Sequence, residues 1–129
     1  MKTVFGLFLI SHALIHSSFI SKQPTQKPGA PEWPFDLTKS LVFSPLGVSS
    51  GLLKIVGIVL SLISLFGFIA SGLGWMGVPF LKSIWLPVTV LASISSMLLL
   101  FIFWKNWFFV GVLIDLAILY LALVRNFRP

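Results

Sequence analysis

Long apolar runs alternate with short polar or proline- and glycine-rich breaks along this chain. Crossing the hydrocarbon core of a bilayer takes about 20 residues at a helical rise of about 1.5 Å each. Runs near that length cover residues 3–20, 52–73, 83–104 and 108–124. Lys54 stands at the start of the second run and Asp115 interrupts the fourth. In lipid the backbone must satisfy its own hydrogen bonds, so each run is predicted to be a helix. The short alternating segments of a β-barrel are missing from the sequence. The expected fold is all-α: a multi-pass integral membrane protein, a bundle of four transmembrane helices forming one membrane domain over residues 1–129.

The breaks differ in character. Residues 21–50 contain Pro24, Pro28, Pro31, Pro34 and Pro45, a density that blocks a continuous helix and favours extended or turn conformations. Within this proline-rich loop, Trp33, Pro34, Phe35, Leu37, Leu41, Val42 and Phe43 are too apolar for a free linker. Residues 33–43 are therefore expected to lie on the membrane surface or to cover one mouth of the bundle. The second break, residues 74–82, carries the turn signals Gly74, Gly77 and Pro79. The third is little more than Lys105-Asn106, which makes helices three and four a tight antiparallel hairpin. The first run follows Lys2 as a signal peptide would. However, the candidate cleavage points near Ser17, Ser18 and Ser21 have His16 or Phe19 where a small residue is needed, so it is read as a retained helix.

Composition strengthens the membrane reading. The chain is 57% hydrophobic and 9% charged, with a mean hydropathy of +1.05, whereas a soluble domain is about 25% charged. A small soluble domain could not hide that much apolar surface, and disorder needs the opposite composition. The net charge is +6, from nine basic and three acidic residues. The basic residues sit singly at the ends of apolar runs. That places them against anionic lipid head groups rather than nucleic acid, which is not expected as a partner. The absence of cysteine excludes disulfides, thiolate metal sites and thiol chemistry.

An even number of spans puts both termini on one side, with Lys2, Lys82, Arg125 and Arg128. The other side carries Lys22, Lys27, Lys39, Lys54 and Lys105, offset by Glu32 and Asp36. The basic residues nearly balance, but those on the terminal side lie in shorter segments. The termini are accordingly placed on the cytoplasmic side of a cell membrane. Trp75, Trp85, Trp104 and Trp107 fall at predicted helix ends and are expected to be interface anchors at head-group level.

Helix contact in lipid depends on close packing and polar links. Gly57, Ser61, Ser64 and Ser71 share a stripe on helix two, and Gly67 and Ser71 form a small-x-x-x-small pair. Thr89, Ser93 and Ser96 on helix three add small polar groups, and Gly111 and Ala122 share the Asp115 face of helix four. These positions are read as helix packing, with a polar groove for a substrate as the alternative.

Three residues carry the candidate chemistry: His12, His16 and Asp115. The two histidines are four residues apart and share one face of helix one. That spacing can grip a metal ion, and each imidazole alone could ligate a haem or chlorin-type pigment. Equally, both can be neutral imidazoles bonded inside the bundle. No carboxylate is near them in sequence, and the sequence requires no cofactor.

Asp115 lies deep in helix four, where a charge costs about 2.5–3.5 kcal/mol on insertion scales, so it needs a partner. His12 lies eight residues from Val4, about 12 Å along the helix, and Asp115 lies nine residues from Val124, about 13.5 Å from the same surface. An Asp115–His12 or Asp115–His16 pair is therefore expected, with Gly111 and Ala122 letting helix one approach.

Three functions compete. The first is an accessory or structural subunit of a larger membrane complex, with other subunits or further copies of itself as partners. The second is a small oligomeric proton-coupled carrier using His12, His16 and Asp115. The third is a haem-, quinone- or metal-binding component of a membrane oxidoreductase. No catalytic motif is present, and the balance leans against an enzyme.

Overall fold

A computed structural model describes residues 2–124 apart from Pro24 and Gln26; Arg125 and Arg128, used above to assign sides, lie outside the described residues. The chain forms α1 (Lys2–Ile20), α2 (Ser50–Trp75), α3 (Pro79–Ile102) and α4 (Phe108–Leu123), with no strand among the described residues. The first three are long and apolar enough to cross a membrane. The fourth has 16 residues, about 24 Å of helix, and is shorter than a full crossing at right angles to the bilayer. The protein is a membrane-embedded helical bundle.

Local chemistry accounts for helix ends that differ from the expected ones. α2 begins at Ser50 because the Ser49 hydroxyl accepts a hydrogen bond from Leu52 N at 3.3 Å and caps the first turn. α3 begins at Pro79, four residues before the expected start, since a proline at the first helical position lacks only an N–H that would have no partner anyway. Gly77 makes the turn between them at φ 103°, a conformation that side-chain-bearing residues rarely adopt. Pro87 lies inside α3 without ending it, as neighbouring helices permit in a bundle of this kind.

The helices pack in chain order: α1 on α2, α2 on α3, α3 on α4. Small residues set the first two seams. A Cβ on Gly72 would lie 2.6 Å from the Gly6 carbonyl oxygen, and one on Gly6 would lie 2.7 Å from the Gly72 oxygen, so α1 and α2 touch backbone to backbone. Between α2 and α3, a Cβ on Gly67 would come within 2.7 Å of Ala92 Cβ. Ser64 Oγ reaches Ala92 O at 3.4 Å, and Ser71 bonds to Thr89. Gly57, Ser61, Ser64 and Ser71 are all buried, as the stripe predicts. Gly57, however, faces Leu37 of the loop and Phe103 at the end of α3 rather than a neighbouring helix.

The proline-rich loop covers the bundle end opposite the termini. Leu37 is buried, Phe35 stands edge-on to Phe19 with ring centroids 5.0 Å apart, and Ser40 Oγ donates to Ile102 O at 2.6 Å. Leu41, Val42 and Phe43 then turn outward and are exposed. Asp36 organises the turn, accepting from Thr38 N at 2.8 Å, Thr38 Oγ1 at 2.7 Å and Gln23 Nε2 at 3.0 Å. Partial burial alone would raise its pKa, but these bonds and the charge of Lys39 outweigh it and hold the carboxyl below its ordinary value.

Two of the four tryptophans expected to anchor at the interface are buried in the bundle. Trp75 and Trp85 are only 2% and 8% exposed, with rings 5.5 Å apart edge to face, and Trp75 also meets Phe5 at 4.7 Å. Trp75 ends α2, whereas the earlier start of α3 puts Trp85 well inside that helix, and rotation about the helix axes turns both side chains inward. Trp104 is half-buried and Trp107 is 81% exposed, so these two keep the exposure that an anchor needs.

Two predictions test this packing and the loop. Gly72→Ala should lower thermal stability in detergent by about 1–3 kcal/mol, because the new methyl group meets backbone. Gly51→Ala, where a Cβ meets nothing within 4 Å, should leave stability unchanged or raise it by up to about 1 kcal/mol. For Asp36, a lowered folded-state pKa means stabilisation present at neutral pH and lost as pH falls through that pKa. Hydrogen-exchange protection of the Thr38 amide should hold down to about pH 4 and then decline, while Asp36→Asn should show weaker protection with no such step.

Candidate functional site

The fold brings residues from all four helices together at mid-depth of the bundle. His12 and His16 share the inward face of α1 with Leu9, Ala13 and Phe19, the three- and four-residue spacing that makes one helical stripe. Asp115 enters from α4, Ser96 from α3 and Phe68 from α2. Asp115, Ser96 and Phe68 are completely buried, and both histidines are nearly so.

His12 Nε2 and Asp115 Oδ1 are hydrogen-bonded at 2.9 Å. Ser96 Oγ and His16 Nε2 are hydrogen-bonded at 3.2 Å, and the Ser96 hydroxyl also lies beside the Asp115 carboxyl. The polar groups thus form a chain, His12–Asp115–Ser96–His16. The two imidazoles meet edge to face with centroids 5.5 Å apart. Phe68 lies under both, edge-on to His12 at 4.9 Å and stacked with His16 at 6.1 Å. Its ring excludes water from the α2 side and limits the rotation of both histidines.

A carboxyl in so dry a place must be neutral or paired. The His12–Asp115 contact serves both cases: a neutral acid beside a neutral imidazole, or a carboxylate beside an imidazolium. Some capacity remains. Among the described residues, Asp115 Oδ2, His12 Nδ1, His16 Nδ1 and Ser93 Oγ are buried without a hydrogen-bond partner. The metal reading gains no third ligand, since no group of three or more His, Cys, Asp or Glu converges among the described residues. The two Nε2 atoms also bond to different neighbours rather than to a shared point.

Beside this chain a cleft of about 420 Å³ separates α1 from α4. His12 and His16 form part of its wall, together with Phe19, Phe35, Leu100 and Phe108. Ile15, Trp107 and Val110 also line it and are exposed, so they form lips that open sideways. The cleft corrects one expectation. The sequence pattern has Gly111 clearing space for α1, but a Cβ there would meet Leu100 Cδ1 of α3 at 2.8 Å. α1 and α4 do not pack as the consecutive helix pairs do; they are joined across a gap by the His12–Asp115 bond.

Depth and cost were enough to find His12 and Asp115 in the sequence. Ser96 was legible only as one of several small polar residues on helix three. Phe68 carried no signal, being one of 13 phenylalanines.

If the His12–Asp115 bond holds this seam, Asp115→Leu and His12→Leu should each lower stability by about 1–3 kcal/mol, because each leaves a buried polar partner behind. The double variant should lose less than the sum, by about 0.6–2 kcal/mol. Unfolding of the four proteins in one detergent measures the coupling, and strict additivity would show that the bond does not hold the seam.

No family model matches this chain, and neither a curated protein nor a solved structure similar to it was found.

Proposed function

We propose that this protein is an accessory subunit of a larger membrane complex, seated in a cell membrane with both termini on the cytoplasmic side. The observation that carries this reading is the inward direction of the intramembrane polar groups. His12, His16, Ser61, Ser64, Ser71, Thr89, Ser93, Ser96 and Asp115 are all buried within the bundle. The outer faces of the helices are left with large apolar side chains such as Phe66, Leu98, Phe101, Phe109 and Leu113. A surface of this kind suits lateral contact with lipid and with other membrane helices, and the polar interior gives one defined packing for such contacts to rest on. Partners are other membrane subunits or further copies of the chain.

The polar chain favours a second reading, a proton-coupled carrier, because carboxyl, imidazole and hydroxyl groups in series can pass a proton. Asp115, the residue such a carrier would load, is fully buried, so that reading also needs an opening motion.

Purification from the native membrane in mild detergent separates the two. The accessory reading expects a particle with other subunits in fixed stoichiometry, whose yield falls when this chain is deleted. A particle containing this chain alone, with proton-driven counterflow in liposomes that Asp115→Asn abolishes, would replace it with the carrier reading.

A further inference from the structure

The cleft between α1 and α4 is unlike the other seams of the bundle. α1/α2 and α2/α3 are closed by small residues in backbone contact, whereas α1 and α4 are held by a side-chain bond beside an open volume. At about 420 Å³ the cleft falls within the range of about 300–1,000 Å³ typical of small-molecule sites. Its lips are exposed apolar side chains, so its occupant comes from the membrane phase rather than from water.

The wall carries two kinds of group. Phe19, Phe35, Trp107 and Phe108 contribute ring faces and edges, with Phe19 and Phe108 centroids 5.5 Å apart and Phe35 and Phe108 centroids 6.1 Å apart. His12 and His16 contribute imidazoles that are 5% and 2% exposed, and each has a buried Nδ1 with no hydrogen-bond partner. The rings favour a flat occupant that can stack or meet them edge-on, and the imidazoles favour one with a hydrogen-bonding oxygen.

Depth selects further. His12 lies ten residues from the start of α1 and eight from its end, about 15 Å and 12 Å along the helix. A fatty acid or phospholipid keeps its charged head at the surface and would bring only a chain terminus to this level. A neutral ring can carry its oxygen to mid-depth at far lower cost than a charged group.

We propose that the α1–α4 cleft binds a neutral, flat-ringed, membrane-soluble compound of the quinone or quinol kind, with a ring oxygen hydrogen-bonded to His16 or His12. Both Nδ1 atoms are covered, so binding parts α1 from α4 locally. The thin seam between these helices is the place where that motion is easiest. This site is independent of whether the chain acts as an accessory subunit or a carrier.

The test uses the full chain in lipid nanodiscs, with decylbenzoquinone as the probe and tryptophan fluorescence as the readout, since Trp107 stands at the cleft mouth. A saturable quenching component is expected above the linear background from probe dissolved in lipid. Trp107→Phe should remove most of it. His16→Gln should weaken binding about three- to tenfold, the effect of one lost or distorted hydrogen bond. Ile15→Phe with Val110→Phe, at exposed positions that leave the core untouched, should narrow the mouth and weaken binding at least as much. Oleate should compete poorly. If His16→Gln fails to fold, as judged by circular dichroism, the lip variant decides. Purely linear quenching, a saturable signal unmoved by the lip variant, or equal competition by oleate would overturn the proposal.

Discussion

The hydrogen bond between His12 and Asp115 is the constraint around which this bundle is organised. A carboxyl near the middle of a membrane helix must be neutral or find a donor, and His12 and His16 are the only imidazoles in the chain. The bond joins the first helix to the last, so it fixes the rotation of both about their axes. Once His12 faces α4, the rest of its stripe, Leu9, Ala13, His16 and Phe19, must face inward too. Once Asp115 faces α1, Phe108, Val112, Ile118 and Ala122 follow it into the interior.

The remaining seams rest on a different principle. Lipid supplies no hydrophobic force between helices, so α1, α2 and α3 hold together through close backbone approach and short polar links. Gly6 and Gly72 meet across one seam, and Gly67 and Ala92 across the next, where Ser71 bonds to Thr89. α4 is the shortest helix and belongs to the bundle through α3 and the Asp115 link. The contrast between tight glycine seams and a bridged gap leaves the cleft on one side only. The loop then closes the same end of the molecule, with Phe35 joining Phe19 and Phe108 where the cleft reaches the bundle mouth.

The candidate site and the fold are therefore the same set of interactions seen at two scales. The histidines that complete the interior also form the wall of the cleft, and Phe68 limits their motion from behind. A change at the His12–Asp115 bond will affect stability and any ligand or proton chemistry together. Substitutions at the cleft lips, away from that bond, can separate the two.

The membrane class, the four helices and a link from Asp115 to one of the two histidines of α1 were legible in the sequence; that the partner is His12 was not. Each follows from a one-dimensional quantity: apolar run length, proline and glycine punctuation, or distance along a helix at a known rise. Features that depend on rotation and on the distance between helix axes were fixed by packing in three dimensions. Trp75 ends α2 and Trp85 stands in the first third of α3, where depth alone suggests a lipid interface, yet Trp75 packs against Phe5 and Trp85 against Trp75, inside the bundle. Gly111 shares a helix face with Asp115, but the atom it clears space for is on Leu100 of α3. The cleft appears in no residue pattern, because it is the volume left where two helices joined by a side-chain bond stand farther apart than helices joined through glycine.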